Sequence, residues 1–422
     1  MAPEGRLFIN NEYVPSSSGE TLTVINPADD TTVTNQVHAA SPSDVDHAVA
    51  SAKEAFKKWK KTPSKDRAAP LLRLADILEK HVEEVARLES IAMGAPITLA
   101  RRVVAGQPPI WRYYAGLIGK LGGEVYPAEE EEGGTGYYRL VNYEPLGVCA
   151  GIAAWNGTLF KEAGFPPGVI NLLSGAGNVG AQLASHMDIA KISFTGSTAV
   201  GRKIQIAAAQ SNLKIVSLEL GGKSASLVFA DANLENAVVH SSHGFLFNNA
   251  QVCTACSRNL VQEAIAPQFV LAPKKAFAEA AKLIGDPALP STVLGPLADK
   301  AQRDRVAGFV ERAKQQGIEF LAGGDLWPVA VVKTFKTEEE GIALANDTNY
   351  GLAGAIFTSD VSRALRVASQ IEAGTVGVNS GPMLSNETPF GGWKQSGYGR
   401  ESGTHGLRGY LQTRTVMINM KA

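Results

Sequence analysis

Residues 218–224 read Leu218-Glu219-Leu220-Gly221-Gly222-Lys223-Ser224. The apolar run Ile215–Leu218 leads into this stretch and has the length of a short buried strand. A single carboxylate, Glu219, therefore stands at the end of a predicted strand, and the paired glycines after it predict a turn. The last three residues end like a phosphate-binding loop, but Ser217 stands where that motif requires its first glycine. We therefore reject the phosphate-loop interpretation of this segment.

Apolar runs of strand length alternate with helical stretches on both sides of this segment. The predicted strands are Val148–Ala153, Val169–Leu173, Ile189–Phe194, Ile215–Leu218, Leu227–Phe229, Val329–Phe335 and Ala353–Phe357. The predicted helices run from Ser41 to about Lys61 and over Leu71–Leu78, Val82–Ile91, Lys274–Ile284 and Ala301–Gln316. Strands that alternate with helices imply a parallel sheet covered by helices, so the predicted fold class is α/β.

The composition excludes several classes of protein. The 422 residues include 40 Lys and Arg against 41 Asp and Glu, whereas a protein that coats nucleic acid or an anionic membrane carries a strong basic excess. Three cysteines are too few for a disulfide-stapled secreted scaffold. The longest apolar stretch, Leu146 to Trp155, has about half of the ~20 residues that a membrane helix needs. We therefore expect a cytoplasmic enzyme without nucleic-acid or membrane partners.

Two further motifs are weak on their own. Gly175-Ala176-Gly177-Asn178-Val179-Gly180 has the glycine spacing of a dinucleotide-binding loop, between a predicted strand and a predicted helix. Such a loop requires an acidic residue about twenty residues later, and the region there reads Thr195-Gly196-Ser197. His240 and His243 lie one helical turn apart, but no third ligand is close in sequence, so we expect no metal site.

A second segment carries a candidate nucleophile. Residues 248–253 read Asn248-Asn249-Ala250-Gln251-Val252-Cys253 and place a cysteine in a polar turn after a helical stretch. Together, the glutamate and cysteine segments resemble the signatures of the aldehyde dehydrogenase superfamily, except that Ala250 stands where the family has glycine. Further matches, in the family's order, are Trp155-Asn156, Phe194-Thr195-Gly196-Ser197 with Gly201, Asn346-Asp347-Thr348-Asn349-Tyr350-Gly351-Leu352, and Pro389-Phe390-Gly391-Gly392-Trp393-Lys394-Gln395-Ser396-Gly397 with Gly399-Arg400-Glu401. The resemblance covers nearly the whole chain.

The resemblance implies an aldehyde-dehydrogenase-like fold with three parts. A Rossmann-type cofactor-binding domain would comprise residues 1–126 and 147–219, and an α/β catalytic domain would comprise residues 220–403. A small β oligomerisation element would comprise residues 127–146 and 404–422. Its C-terminal strand, Thr413–Asn419, alternates as an exposed edge strand does, and such an edge invites pairing with another subunit. We therefore expect a homodimer or a homotetramer.

The resemblance also implies the reaction, which is oxidation of an aldehyde to a carboxylic acid with NAD, or NADP, through a cysteine thiohemiacetal and a thioester. Cys253 would be the nucleophile, and Glu219 would be the general base that activates water. Asn156 and the Cys253 backbone N–H would bind the oxyanion, and Glu401 would relay a proton. Phe390 would line the substrate pocket. The residues matched to cofactor binding are Trp155, Gly175, Gly196, Ser197 and Leu220.

The sequence departs from the family at two places. After Asn156 the family continues with a helix, a strand and another helix, and that strand ends in a lysine that binds the cofactor ribose. Only about twelve residues separate Asn156 from Val169 here, too few for a complete βαβ step. Near Gly323–Val329 the family has a longer segment, whose ribose-binding glutamate aligns with Gly324 and whose phenylalanine aligns with Leu326. Both ribose-binding charges are therefore absent, and we expect weak binding of the cofactor.

Two alternatives to a dehydrogenase remain open at this point. Cys253, Asn156 and Glu219 would suffice for a cofactor-independent thiol esterase, and a non-catalytic paralogue would act only through interactions. Among the three cysteines, we expect Cys253 to react first with a soft alkylating agent. Cys149 lies inside a predicted apolar strand, where a raised pKa and poor access should leave it inert, and Cys256 should serve packing.

Overall fold

The structure, a computed structural model, describes residues 5–128, 136–152, 162–320 and 329–420. Its N-terminal part consists of two antiparallel strand pairs followed by helices. Ser41 begins the first helix, because its hydroxyl accepts the Asp44 N–H at 3.2 Å. The strands are β1 (Leu7–Ile9), β2 (Glu12–Val14), β3 (Thr21–Ile25) and β4 (Thr32–His38). The helices are α1 (Pro42–Trp59), α2 (Ser64–Lys80), α3 (Val82–Met93), α4 (Ile97–Ala105) and α5 (Gln107–Leu117).

A four-stranded sheet with the order β17-β9-β8-β7 carries one half of the site. Strands β7, β8 and β9 are parallel, and β17 runs antiparallel to β9. Two helices cover one face, where Ile192, Phe194, Val216 and Leu218 are buried. The elements are β7 (Cys149–Ile152), α6 (Gly177–Ser185), β8 (Lys191–Gly196), α7 (Thr198–Gln210), β9 (Ile215–Leu220) and β17 (Gly397–Tyr398).

The opposite face of these three parallel strands is polar, because side chains alternate between the two faces of a sheet. We call it the polar face, and its members are Cys149, Lys191, Ser193, Ser217 and Glu219. The C-terminal segment covers this face. A Cβ on Gly399 would lie 2.7 Å from the Ser217 Oγ, and Tyr410 shares a side-chain hydrogen bond with Ser193. Lys191 and Glu219 are thus buried between the sheet and the end of the chain, whereas Cys149 at the sheet edge is exposed.

The strand predicted at Val169–Leu173 does not form, so that prediction is wrong. Leu172 instead makes an isolated bridge with Phe8, in which the Leu172 N–H donates to the Phe8 carbonyl at 2.7 Å. A parallel strand here would need a crossover that the short preceding segment cannot supply. The glycine-rich stretch from Gly175 therefore lacks the strand that a dinucleotide-binding loop follows, although helix α6 begins at Gly177 as predicted.

A second sheet of five parallel strands has the order β12-β11-β10-β14-β15. Leu227 and Ile356 pack on one of its faces, and Val228 and Val261 pack on the other. The prediction of a parallel sheet covered by helices is confirmed. The strands are β10 (Ala225–Val228), β11 (Arg258–Gln262), β12 (Val331–Phe335), β14 (Ala353–Phe357) and β15 (Thr375–Val378). The helices are α8 (Leu234–Leu246), α9 (Ala266–Ala281), α10 (Lys300–Gln315), α11 (Glu338–Asn346) and α12 (Val361–Ala368).

A third sheet joins the middle of the chain to its end, in the order β18-β6-β5. Strand β18 pairs antiparallel with β6 from Leu411, opposite Pro145, to Asn419, opposite Tyr137. The remaining elements are β5 (Glu124–Tyr126), β6 (Tyr137–Pro145), β13 (Tyr350–Gly351), β16 (Trp393–Lys394), α13 (Gly403–Arg408) and β18 (Leu411–Asn419). Within the described residues, no helix combines the length and apolar character that a membrane crossing requires.

Candidate active site

Glu219 lies near the carboxyl end of β9, between Thr195 on β8 and Gly397 on β17. Only 5% of its surface is exposed, and its Oε1 has no hydrogen-bond partner among the described residues. Burial raises the pKa of the Glu219 carboxyl to about 7, a hydrogen bond from Cys253 lowers it, and the charge of Glu401 raises it. A carboxyl that titrates near neutral pH can both accept and release a proton during a reaction.

The loop that carries Cys253 has a constrained backbone. It follows a short 3-10 turn, Phe247–Ala250, in which Asn248, Asn249 and Ala250 have φ angles of 48°, 54° and 58°. Asparagine tolerates this left-handed region, whereas alanine pays a steric cost that glycine avoids. The structure therefore gives a physical reason for glycine at the position where this chain has Ala250.

Neighbouring loops hold the cysteine loop in place. The Asn249 side-chain amide donates to the Gly295 carbonyl, and the Gln251 side-chain oxygen accepts the Ala298 N–H at 2.8 Å. On the other side, a Cβ added to Gly222 would lie 2.8 Å from the Cys253 carbonyl oxygen. Close approach of the two segments therefore requires glycine at residue 222. The paired glycines noted in the sequence are what allow the two motifs to meet.

The structure places the Cys253 thiol and the Glu219 carboxyl close enough to shift each other's pKa. Cys253 is half-buried. Burial raises the pKa of the Cys253 thiol to about 12, and the negative charge of Glu219 adds to this rise. The proton therefore resides on sulfur at neutral pH. A thiol beside a carboxyl that titrates near neutral pH can act as a nucleophile with a proton acceptor.

The other two cysteines differ from each other. Cys256 is buried in the apolar layer beneath α8, and burial raises the pKa of its thiol to about 12. Cys149 is exposed, so the expectation of poor access is wrong. Its strand, β7, lies at the edge of its sheet within the described chain, which leaves the residue open to solvent. Desolvation by its neighbours still raises the pKa of the Cys149 thiol, so it is accessible but little ionised.

Glu401 and Phe390 occupy adjacent positions beside this pair. Their backbones form an isolated antiparallel bridge, with N–H to carbonyl distances of 2.7 and 2.8 Å. Phe390 is buried, whereas Glu401 keeps part of its surface exposed. Burial of the remainder raises the pKa of the Glu401 carboxyl, and the charge of Lys191 lowers it. The charge of Glu401 raises the pKa of Glu219, so the protonation of each carboxyl depends on the charge of the other.

Gly196 and Ser197 lie at the carboxyl end of β8, where helix α7 begins. The Ser197 hydroxyl caps α7 by accepting the Val200 N–H at 3.3 Å, and both residues are exposed. A helix N-terminus after a strand favours anions such as phosphate. Nearby, Leu220 is buried against Gly201, and Gly175 lies so close to Val179 that a Cβ would meet that side chain at 2.2 Å.

Several site residues fall outside the described part of the chain. Trp155 and Asn156 lie in the first segment that differs from the family. Gly324 and Leu326, which align with the family's glutamate and phenylalanine, lie in the second. Their positions relative to Cys253 remain predictions from the sequence. Across the residues that the structure does describe, no group of three or more His, Cys, Asp or Glu side chains could hold a metal ion. His240 lies on α8, stacks on Phe357 and accepts the Gly381 N–H at 3.3 Å.

Two residues of this region received no role from the sequence. Ser396 is fully buried, and its hydroxyl donates to the Gly221 carbonyl at 2.7 Å, which fixes the turn after Glu219. Lys191 is almost fully buried on the polar face. A signal for Lys191 exists in the sequence, because the alternation Lys191, Ser193, Thr195 between apolar residues marks one face of a strand as polar.

Comparison with known proteins decides the family. The model of the aldehyde dehydrogenase family matches residues 13–160, 157–327 and 326–416. The chain belongs to the aldehyde dehydrogenase family. The three matched pieces meet at 157–160 and 326–327, at the two places where the sequence is expected to lack segments of the family.

Individual relatives agree with this assignment. An aldehyde dehydrogenase of Davidiella tassiana is 38% identical, over 98% of this chain and 95% of that protein. Human retinal dehydrogenase 2 is 37% identical, over 98% of this chain and 92% of its own. Both alignments, of 481 and 485 positions, are longer than the 422 residues of this chain, so the relatives contain residues without a counterpart here. The crystal structure of PnpE in complex with nicotinamide adenine dinucleotide superposes with a TM-score of 0.93 at 35% identity, covering 100% of this chain and 98% of PnpE.

The expected fold class is therefore confirmed, and so is the class of enzyme, an NAD-dependent aldehyde dehydrogenase. The comparisons give no support to the esterase or the non-catalytic paralogue.

Proposed function

We propose that this aldehyde dehydrogenase uses Cys253 as its nucleophile and Glu219 as its base to oxidise an aldehyde to a carboxylic acid. The observation that supports the proposal most strongly is the position of Cys253 beside the buried Glu219 carboxyl, which the close approach of Gly222 to the Cys253 carbonyl allows. A nucleophile in contact with a proton acceptor is what covalent catalysis requires. The family supplies the class of substrate, and NAD is the proposed cofactor.

The first step joins Cys253 to the substrate. The thiol proton moves to Glu219, the sulfur lone pair forms a bond to the aldehyde carbon, and the carbonyl π pair moves to oxygen. The backbone N–H of Cys253 donates to this oxyanion, with the Asn156 amide as the second proposed donor. NAD, when bound, supplies the acceptor for the hydride that leaves this carbon. Cys253 then carries the acyl group as a thioester.

The second step hydrolyses the thioester. The unpartnered Oε1 of Glu219 is suited to accept a hydrogen bond from a water molecule, since a buried carboxylate oxygen without a partner is costly. Glu401, which is exposed, first relays the thiol proton from Glu219 towards solvent, so that Glu219 is again a carboxylate. Glu219 then takes a proton from this water, the hydroxide adds to the acyl carbon, and the carbon–sulfur bond breaks with its electron pair returning to sulfur. Phe390 lines the pocket that holds the substrate.

The residues at the end of β8 fit the phosphate groups of the cofactor. Gly196 and Ser197 are exposed at the N-terminus of α7, a helix of 13 residues, and would bind the pyrophosphate through backbone N–H groups. Gly175 and Leu220 would shape the surface nearby, and Trp155 is the remaining proposed contact. The ribose end fits less well, because the lysine and the glutamate of the family have no counterparts. We therefore propose that NAD binds weakly.

The proposal extends to assembly and location. Strand β18 forms the edge of its sheet within the described residues and exposes Val416, Met417 and Ile418 by 37%, 65% and 44%. An apolar edge of this kind favours pairing with a second copy, which supports a homodimer or homotetramer. Light scattering at micromolar concentration tests this, and a monomer would contradict it. A cytoplasmic location agrees with the three unpaired cysteines.

The experiment is an assay of NAD reduction with a simple aldehyde, at millimolar NAD to offset weak binding. Cys253→Ala is expected to abolish the reaction, and Glu219→Gln to slow it by about 100-fold or more. Cys256→Ala is the matched control, because this cysteine is close in sequence but buried in the apolar layer. Full activity of the Cys253→Ala variant would contradict the proposal.

A further inference from the structure

The mechanism leaves one buried cation without a role. Lys191, the first residue of β8, is 1% exposed and lies on the polar face. Its ammonium donates to the Gly409 carbonyl at 2.7 Å and lies 3.8 Å from the centre of the Tyr410 ring. Neither contact supplies a full negative charge, and a buried ammonium without one is costly. Burial accordingly lowers the pKa of the Lys191 ammonium, and the charges of Cys149 and Glu401 act in the opposite direction.

Two titratable groups interact electrostatically with Lys191. One is Cys149, which lies beside it on β7, and the other is Glu401. Since the raised pKa of Cys149 keeps its thiol neutral, Glu401 is the anion of the set. Four titratable side chains interact electrostatically with Glu401, namely Lys191, Glu219, Tyr114 and Tyr410. Lys191 is the cation among them.

The covalent chain also connects Lys191 to Glu401. Helix α13 starts at Gly403, two residues after Glu401, and ends next to Gly409, the residue that Lys191 holds. Gly406 in this helix packs on Glu401, since a Cβ there would lie 2.9 Å from the Glu401 carbonyl carbon. Lys191 therefore anchors the far end of a short segment whose near end carries the carboxyl beside Glu219.

We propose that Lys191 is a positioning residue for this reaction, which anchors the turn at Gly409 and keeps Glu401 ionised beside Glu219. The inference rests on the proposed role of Glu219. Loss of the charge at Lys191 would let Glu401 bind a proton at higher pH. The Cys253 and Glu219 pair would then face a neutral neighbour and ionise at lower pH, because like charges no longer oppose its ionisation.

The test follows the titration of the Glu401 carboxyl by NMR, in protein labelled with 13C in the glutamate side chains, with Glu401→Gln to assign its signal. This measurement needs neither NAD nor turnover, so a failure of the proposed dehydrogenase reaction leaves it interpretable. Lys191→Gln keeps a donor for the Gly409 carbonyl but removes the charge. The midpoint of Glu401 should therefore rise by about half a pH unit in this variant. Lys191→Arg should keep the original midpoint.

Lys214 provides the matched control. It is another buried lysine, 6% exposed, that donates to the Ala184 carbonyl at 2.5 Å and the Ser211 hydroxyl at 2.9 Å. Burial alone lowers the pKa of Lys214, and no acidic group acts on it. Lys214→Gln should therefore leave the midpoint in place. The inference is overturned by an unchanged Glu401 midpoint in Lys191→Gln or by an equal shift in Lys214→Gln.

Discussion

The thiol of Cys253 lies beside the carboxyl of Glu219, at the boundary between the four-stranded and the five-stranded sheets, and each group shifts the pKa of the other. Glu219 belongs to the four-stranded sheet, whereas Cys253 lies in the loop that precedes β11 of the five-stranded sheet. This proximity depends on Gly222, which has no room for a side chain beside the Cys253 carbonyl. The junction of two separate structural layers thus brings Cys253 and Glu219 together.

The pKa of Glu219 predicts the pH dependence of turnover. Burial raises that pKa to about 7, so the carboxylate that activates water predominates only above this pH. The rate at saturating NAD and aldehyde should therefore rise as pH increases through about 7, and this rise should vanish in Glu219→Gln. Glu89→Gln is the control, since burial also raises the pKa of Glu89 but this residue lies on α3. A rate that stays level from pH 6 to 8 in the unmodified protein would contradict the role of Glu219.

Replacement of Ala250 by glycine is expected to stabilise the protein. Its φ of 58° costs an alanine about 1–2 kcal/mol, of which glycine recovers most, less its larger entropy loss on folding. Ala250→Gly should therefore raise the free energy of unfolding by about 0.5–1 kcal/mol. Ala278→Gly, at an exposed position in helix α9, should lower it by a similar amount. Chemical denaturation measures both, and destabilisation by Ala250→Gly would show that the left-handed turn is wrong.

Aldehyde should protect one cysteine from alkylation. Excess aldehyde without NAD can form a thiohemiacetal at Cys253, which blocks its sulfur. Cys149 is exposed but lies outside the site, so its labelling should continue unchanged. Cys256 should stay unlabelled until the protein is denatured, because it is buried. Peptide mass spectrometry distinguishes the three, and protection of Cys149 in place of Cys253 would contradict the assignment.

The affinity for NAD should be low. The resemblance to the family predicts that two charged hydrogen bonds to ribose are missing, each typically worth about 1.5–3 kcal/mol. Their loss should weaken binding by roughly two to four powers of ten, relative to an NAD-binding member such as PnpE measured in parallel. Isothermal titration tests this prediction. Micromolar binding of NAD would mean that other residues replace the missing pair.

The sequence predicts the parts of this structure that depend on local pattern. Apolar runs and turn residues locate β9 and the glycines after Glu219, because strand length and turn chemistry are local properties. The same patterns fail at Val169–Leu173, where tertiary contact with Phe8 decides the conformation. They also miss the exposure of Cys149, which depends on whether another strand covers β7. The positive φ at Ala250 follows from the path of the loop, and no residue type there indicates it.

The most direct test of the account is to trap the acyl intermediate. Glu219→Gln should still form the thioester, more slowly because solvent must take the thiol proton, but it lacks the base that activates water for hydrolysis. Incubation with aldehyde and millimolar NAD should therefore leave an acyl group on the enzyme. Intact-mass and peptide analysis should then find the acyl mass on Cys253, in an amount that requires NAD. An acyl group on Cys149, or no adduct while reduced NAD still accumulates, would contradict a mechanism through Cys253 and Glu219.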